Sequence, residues 1–207
     1  YRRILSKQYT HSVRDDRTAR MLNQLGLHAI NTGCPTTWSL TQGQVDATYQ
    51  RVGDRPPMAL FTSTDYAVNP EQDREIINTL LTKYETVLFW PQGLHDYNYV
   101  DKIGMLDKVV VVPPNLKAYR SIMDMPFDYV GTRLHGGIYA LLHGHRTIII
   151  AVDHRAKDLS ATSGIPVISR GSRRELLQAL EFVDIPQITI PTEAICEWKA
   201  QFSSSWA

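Results

Sequence analysis

Thr132, Arg133 and His135 stand together in the segment Gly131-Thr132-Arg133-Leu134-His135-Gly136-Gly137, a combination suited to binding an anion and moving a proton beside it. Arginine presents a planar fork of donors that grips phosphate or carboxylate bidentately. Histidine gives and takes protons near neutral pH. Threonine after an apolar run and ahead of helix-prone residues reads as a helix N-cap. The free amides of the helical turn that follows, with the positive end of the helix dipole, attract phosphate or carboxylate, and Gly136 and Gly137 let a ligand come close to the backbone. The same residues also suit a surface ion pair, a satisfied histidine and a helix packed tightly on a sheet, so spacing alone leaves both readings open.

A strand must deliver this segment and a helix must carry it away. The apolar run 127–130 is that strand, and 134–142 has the length and composition of the helix. Around them β-type and helix-type segments alternate. Strands are expected at 58–62, 86–90, 109–112, 147–152 and 166–168, and helices opening at Asn69-Pro70-Glu71 and spanning roughly 99–106, 115–123, 156–163, 173–181 and 192–202. Asn69 is a capping residue, Pro70 suits the first helical position, and Ile76, Ile77, Leu80 and Leu81 supply the buried face. Near the start, 9–13, 17–25 and 27–30 read as a β-α-β unit stopped by Gly26. Residues 33–57 show no period and read as linker and connecting segment.

This alternation predicts an α/β protein with a doubly wound, Rossmann-like parallel sheet, whose ligands bind beyond the carboxyl ends of the strands. Residues 1–50 are expected to be the remnant of an N-terminal α/β domain and linker, and 51–207 a C-terminal Rossmann-like domain. The opening residues carry neither an initiator methionine nor a signal-peptide core, from which a piece of a longer protein is expected.

Composition narrows the function. With 22 basic and 21 acidic residues in 207 there is no broad basic face, and no nucleic-acid partner is expected. The longest apolar runs fall short of the roughly 20 residues that span a membrane. Cys34 and Cys196 lie far apart without metal-knuckle or redox-pair spacing, so no metal is expected and a reducing, cytoplasmic setting fits.

The longer context of the histidine segment is informative. Residues 127–144 lead into Arg146-Thr147-Ile148-Ile149-Ile150-Ala151 and then Lys157. This block resembles the signature of the polysaccharide pyruvyl transferase family, in which a strand, a T/S-R-L-H segment, an apolar helix, a second strand and a lysine follow in that order. Ser12-Val13-Arg14-Asp15, with the helix up to Gly26, resembles the family's S-x-R-D/E element. Two departures accompany the likeness. The family's glycine-rich N-terminal region has no counterpart, and Gly33-Cys34-Pro35 stands where many members place an acidic residue before proline.

The resemblance implies a two-domain architecture like that of GT-B glycosyltransferases, with mainly the C-terminal domain present. It implies transfer of the carboxyvinyl unit of phosphoenolpyruvate onto two sugar hydroxyls as a cyclic ketal, in exopolysaccharide or cell-surface glycan biosynthesis, without a cofactor. His135 would be the catalytic acid. Arg14, Arg133, Thr132, Gly136, Gly137 and Lys157 would bind phosphoenolpyruvate. The expected partners are that donor and a sugar or lipid-linked oligosaccharide, with peripheral membrane association left open. Two alternatives stand beside this: a GT-B-type glycosyltransferase, for which Asp96 or Asp153 would meet the ribose of a nucleotide sugar, and a non-catalytic glycan-binding member.

Other residues invite weaker expectations. His143 and His145 suit a helix C-terminus. His95 and Asp96 lie in the expected loop 91–98, where they could touch the acceptor, and Trp90, Tyr97 and Tyr99 could stack on a sugar face. Trp198 and Trp206 read as packing or tail residues.

Overall fold

The computed structural model describes residues 3–50, 55–182 and 184–203; Trp206 and the expected domain boundary at residue 51 lie outside them. The apolar runs form a six-stranded, all-parallel sheet built from β3 (Met58–Thr62), β4 (Thr86–Phe89), β5 (Val110–Val111), β6 (Phe127–Gly131), β7 (Thr147–Ala151) and β8 (Val167–Ser169). Its order is β5-β4-β3-β6-β7-β8. A separate pair of parallel strands, β1 (His11–Val13) and β2 (Ala29–Asn31), flanks α1 (Asp16–Gln24). The doubly wound expectation is met.

Strand alternation divides the core into two layers. Ala59, Phe61, Val87, Phe89, Val130, Ile148 and Ile150 face one side and pack on α3 (Pro70–Lys83), α4 (Leu94–Lys102) and α8 (Arg173–Glu181). Leu60, Leu88, Phe127, Tyr129 and Ile149 face the other, against α5 (Leu116–Ser121), α6 (Leu134–Leu142) and α7 (His154–Ser163). With both faces covered, the central strands read as continuous apolar runs in the sequence. All five residues of β6 and of β7 are buried.

Local signals start the helices as expected. The Asn69 side chain accepts from the Gln72 amide at 3.2 Å, Pro70 takes the first position, and Ile76, Ile77 and Leu80 are buried. Asp15 caps α1 by accepting from the Thr18 amide at 2.7 Å.

Expectations for residues 33–57 and for the region from Trp90 to Leu106 need correction. The stretch 33–57 is not merely connecting chain: it holds a 3-10 turn at Pro35–Thr37 and α2 (Gln42–Gln50), whose Val45 and Tyr49 pack with Leu40 on Leu141 of α6. Its polar exterior hid a short apolar face. The helix expected at 99–106 begins earlier, as α4, so the expected loop at 91–98 is largely helical. Trp90 and Tyr99 are consequently core residues, Trp90 stacked on Tyr119 at 3.9 Å and Tyr99 bonded to Asp73, and neither offers a sugar platform.

The far end of the sheet carries a structural polar cluster. Tyr84 donates to buried Asp128 at 2.6 Å, and Arg146 lies 3.6 Å from the same carboxylate. Burial pushes the Asp128 carboxyl up. His143 ends α6 as expected, its Nδ1 2.8 Å from the Tyr139 carbonyl. His145 does not cap that helix: it is buried, stacked on Phe127 at 3.8 Å, with its ring nitrogens 2.9 Å and 3.1 Å from the Met123 and Phe127 carbonyls. The last helix, α9 (Thr192–Ser203), lies on the small sheet, with Trp198 edge-on to Trp38 and its indole donating to the Thr10 carbonyl at 3.0 Å.

Two glycines set the spacing of β3, β6 and α6. A Cβ on Gly131 would fall 2.1 Å from Thr62 Oγ1, and one on Gly137 would fall 2.7 Å from Ile149 Cγ1 and 2.9 Å from the Tyr129 ring. Gly137→Ala therefore overpacks the contact between α6 and the sheet and should cost about 1–3 kcal/mol. Gly43→Ala, whose Cβ meets nothing within 4 Å, should cost nothing. Urea unfolding of both variants tests this, and equal midpoints would show that α6 does not rest on the sheet through Gly137.

Candidate active site

At the sheet's centre, β3 and β6 are adjacent although three α-helices and two strands separate them in sequence, and the chain leaves them toward opposite sides. Such a switch point opens a crevice at the carboxyl ends of the strands. Its floor is fixed by one phenol. Tyr129 donates to the Arg133 carbonyl at 2.7 Å, so in its 2.6 Å contact with Thr62 the threonine hydroxyl is the donor. That hydroxyl also accepts from the Arg133 amide at 3.3 Å. The backbone of Arg133 is thus tied at both its amide and its carbonyl.

Arg133, not Thr132, occupies the N-cap position, in extended conformation and without a side-chain cap. The Thr132 amide instead continues the sheet to the Thr62 carbonyl at 3.0 Å, and its buried hydroxyl has no partner among the described residues. The strand simply runs on longer than the apolar pattern implied. Helix geometry still leaves the amides of Leu134, His135 and Gly136 without acceptors inside the helix.

The Arg133 side chain is more committed than its motif suggested. Nε donates to the Ser63 carbonyl at 2.9 Å, and Nη2 pairs with buried Asp96 and, at 3.3 Å, with Asp65. Asp96 itself accepts from the amides of Asp65 at 3.1 Å and Gln92 at 3.0 Å. Three of five guanidinium donors are therefore engaged, and the Nη1 pair remains for a ligand. Gly136 and Gly137 are likewise given to packing: the missing side chain of each faces Tyr129, and at Gly137 also Ile149. They make room for the sheet, not for a ligand, although the Gly136 amide keeps its place in the first turn.

The crevice has two lobes. The larger, about 530 Å³, is bordered by Arg14 and Arg17, Cys34, His135, and by His154 and Arg155 of α7. The smaller, about 150 Å³, is bordered by Arg14, Thr132, Arg133, His135 and Arg155, with Tyr66 at its edge. Arg14, Leu134, His135 and Arg155 border both. The two sequence blocks, far apart in the chain, therefore meet at one place. Lys157 does not join them. It lies exposed on α7 outside both linings, two residues and so about half a turn from Arg155, which borders both lobes in its place.

Arg155 and Tyr66 were not legible as site residues. Arg155 sits 5.5 Å over the Tyr66 ring, donates to its hydroxyl at 2.5 Å and pairs with Asp153 at 2.6 Å. Asp153 also caps α7 through the Arg155 amide at 2.9 Å. The hydrogen bond from Arg155 holds the Asp153 carboxyl below its ordinary range. Cys34 follows β2 through Gly33, whose φ of 68° turns the chain, and lies 3.7 Å from His135 Nε2 and 3.0 Å from Thr36 Oγ1. Burial pushes the Cys34 thiol up, yet hydrogen bonding to His135 and Thr36 outweighs it and brings the thiol down to about 7. The gap noted at the acidic position before proline was the one sequence signal for Cys34. Among the described residues no group of three or more His, Cys, Asp or Glu side chains is placed to hold a metal ion, and no helix is long and apolar enough to cross a membrane.

Buried Asp96 should anchor Arg133 more strongly than half-exposed Asp65 does. Asp96→Ala strands a largely buried guanidinium and should destabilise the protein by about 3 kcal/mol, while Asp65→Ala should cost less than about 1 kcal/mol. Denaturant titration separates the two, and equal effects would remove Asp96 as the anchor.

No significant match was found among curated proteins or solved structures. The sequence profile of one family, polysaccharide pyruvyl transferase, matches residues 1–154 and so takes in both the Arg14 and the His135 blocks. The chain belongs to the polysaccharide pyruvyl transferase family.

Proposed function

We propose that the crevice binds phosphoenolpyruvate and transfers its three-carbon unit to two hydroxyls of a sugar as a cyclic ketal. One observation carries this reading: Arg14 and His135, far apart in the sequence, border both lobes together with Arg155. The smaller lobe is the donor site. Its cations Arg14, Arg133 and Arg155, the partnerless Thr132 hydroxyl and the first-turn amides of α6 suit a ligand carrying both a phosphate and a carboxylate. The larger lobe is the acceptor site, open enough for a sugar or the sugar end of a lipid-linked oligosaccharide met in the cytoplasm.

The chemistry requires a proton on the methylene carbon, which leaves positive charge on the carbon that bears phosphate. His135, exposed on the wall common to both lobes, is the acid. One hydroxyl adds to that carbon and phosphate leaves with the electrons of its C–O bond. The second hydroxyl then closes the ring. Of the two hydroxyl protons, one replaces the proton that His135 gave to carbon and the other departs with phosphate, so protons and charge balance. No cofactor enters this scheme. Lys157 has no part in the donor site; Arg155 supplies the charge from α7.

The glycosyltransferase alternative needs a free carboxylate for a ribose. Asp96 is buried on Arg133 and Asp153 is held by Arg155, so neither is free, and the alternative is the weaker reading.

Calorimetric titration with phosphoenolpyruvate and with nucleotide sugars tests the donor, and phosphate release with glycan acceptors tests the reaction. Arg14→Ala should weaken phosphoenolpyruvate binding by about 10- to 100-fold. His135→Ala should lower kcat by about 100-fold or more while leaving donor affinity nearly intact. Binding of a nucleotide sugar without binding of phosphoenolpyruvate would overturn the proposal.

A further inference from the structure

The transfer scheme leaves open how a proton taken from the acceptor reaches the acid. His135 borders both lobes, whereas Cys34 borders only the larger one. The thiol sits at the end of β2, held in place by its neighbours: the Thr37 hydroxyl donates to the Cys34 carbonyl at 2.8 Å, and the Trp38 indole donates to the Thr32 carbonyl at 2.8 Å. The 3-10 turn that follows presses this corner against α6, with Cys34 packed in the same apolar layer as Ile138. Sγ and His135 Nε2 therefore face each other from two separately anchored elements.

We propose that Cys34 is the catalytic base paired with His135, the thiol and the imidazole sharing one proton between Sγ and Nε2 on the acceptor side of the wall. The proposal deepens the pyruvyl-transfer reading and rests on it for the direction of proton flow. When an acceptor hydroxyl adds to the donor carbon, its O–H bond breaks and its proton passes to the sulfur. The proton already shared goes fully to the ring, and the ring has released one to the methylene carbon. The pair ends with the number of protons it began with.

Charged groups of the surrounding elements bear on the pair. The start of α1 brings Arg14, Asp15, Asp16 and Arg17, and α7 brings His154, Arg155 and Asp158. Asp15 is engaged by Thr18 and Asp16 accepts from Asn31 at 3.0 Å. The segment ahead of α9 meets Gly33 with the apolar ring of Pro191. Arg133 borders only the smaller lobe. Cations and carboxylates on the larger lobe nearly offset each other, which leaves His135 and Thr36 as the groups in contact with Sγ.

The pair predicts a thiol whose reactivity does not depend on the donor's identity. Iodoacetamide labelling of the intact protein across pH, read peptide by peptide by mass spectrometry, should give Cys34 a midpoint near 7, below the value of about 8.5 for an ordinary cysteine. The midpoint should rise in His135→Ala and in the ring-free but hydrogen-bonding His135→Gln. Saturating glycan acceptor should slow the labelling. A Cys34 midpoint that equals that of a free thiol, one that ignores both His135 variants, or a thiol that never reacts in the native protein overturns the pairing, whatever phosphoenolpyruvate does. In the transfer assay Cys34→Ala should lower kcat by about 100-fold with donor KM nearly unchanged, and Cys34→Asp should recover part of that loss and alter the pH profile. An unchanged kcat in Cys34→Ala overturns the role. A midpoint near 7 without any binding of phosphoenolpyruvate would support the pair and sink the donor assignment instead.

Discussion

The structure depends on how closely three backbones come together at the switch point. β3, β6 and α6 meet where Gly131 and Gly137 carry no side chain, and the Tyr129 phenol bridges Thr62 to the Arg133 carbonyl across that junction. In a close-packed interior a single added methyl forces neighbours off their minima. Gly131 lets β6 close on Thr62 of β3, Gly137 lets α6 close on Ile149 and Tyr129, and in that position the first turn of α6 opens into the crevice. Placement of His135 is thus a packing result obtained two residues away from it, at Gly137.

Charge is arranged on that frame in two tiers. Asp96, buried beneath Arg133, is tied to two amides and fixes the guanidinium rather than competing with a ligand for it. Asp153 does the same for Arg155 while capping α7. Each carboxylate lowers the net charge of the crevice but keeps its arginine in one orientation, so little rotamer entropy remains to be lost when an anion binds. Arg14 differs: it makes no ion pair among the described residues and is exposed. It is the cation whose position a ligand can still change.

Much of this was legible in the sequence, and the reasons are physical. Period and capping residues revealed the sheet because its strands are buried on both faces and its helices begin at Asn69, Asp15 and similar caps. Arg14 and His135 were singled out through the likeness of their two blocks to one family, since spacing alone left an ion-pair arginine and a satisfied histidine open. What escaped the sequence depended on contacts between distant segments. Thr132 looked like a cap because an apolar pattern does not mark where a ladder's last bond falls. Gly136 and Gly137 looked like room for a ligand because nothing local says that Ile149 and Tyr129 lie behind them. Lys157 and Arg155 are two residues apart, and the turn of α7 alone decides which one looks into the crevice. Trp90 and Tyr99 carried the right ring for a sugar and the wrong burial.

Cys34 shows why such a residue is hard to find from composition. A lone cysteine is most often a small buried hydrophobe, and by exposure Cys34 is one, at 6%. Its chemistry comes from the edge it turns toward His135, and that edge exists only because the β1–β2 unit is docked against the crevice mouth. The same docking brings in Arg14, which follows β1 at the same carboxyl end of this parallel pair. One packing event therefore supplies both a cation for the donor and a proton partner for the acid, and loss of that contact would cost binding and turnover together. The small sheet is for this reason better regarded as part of the active site than as an appendage to the large one.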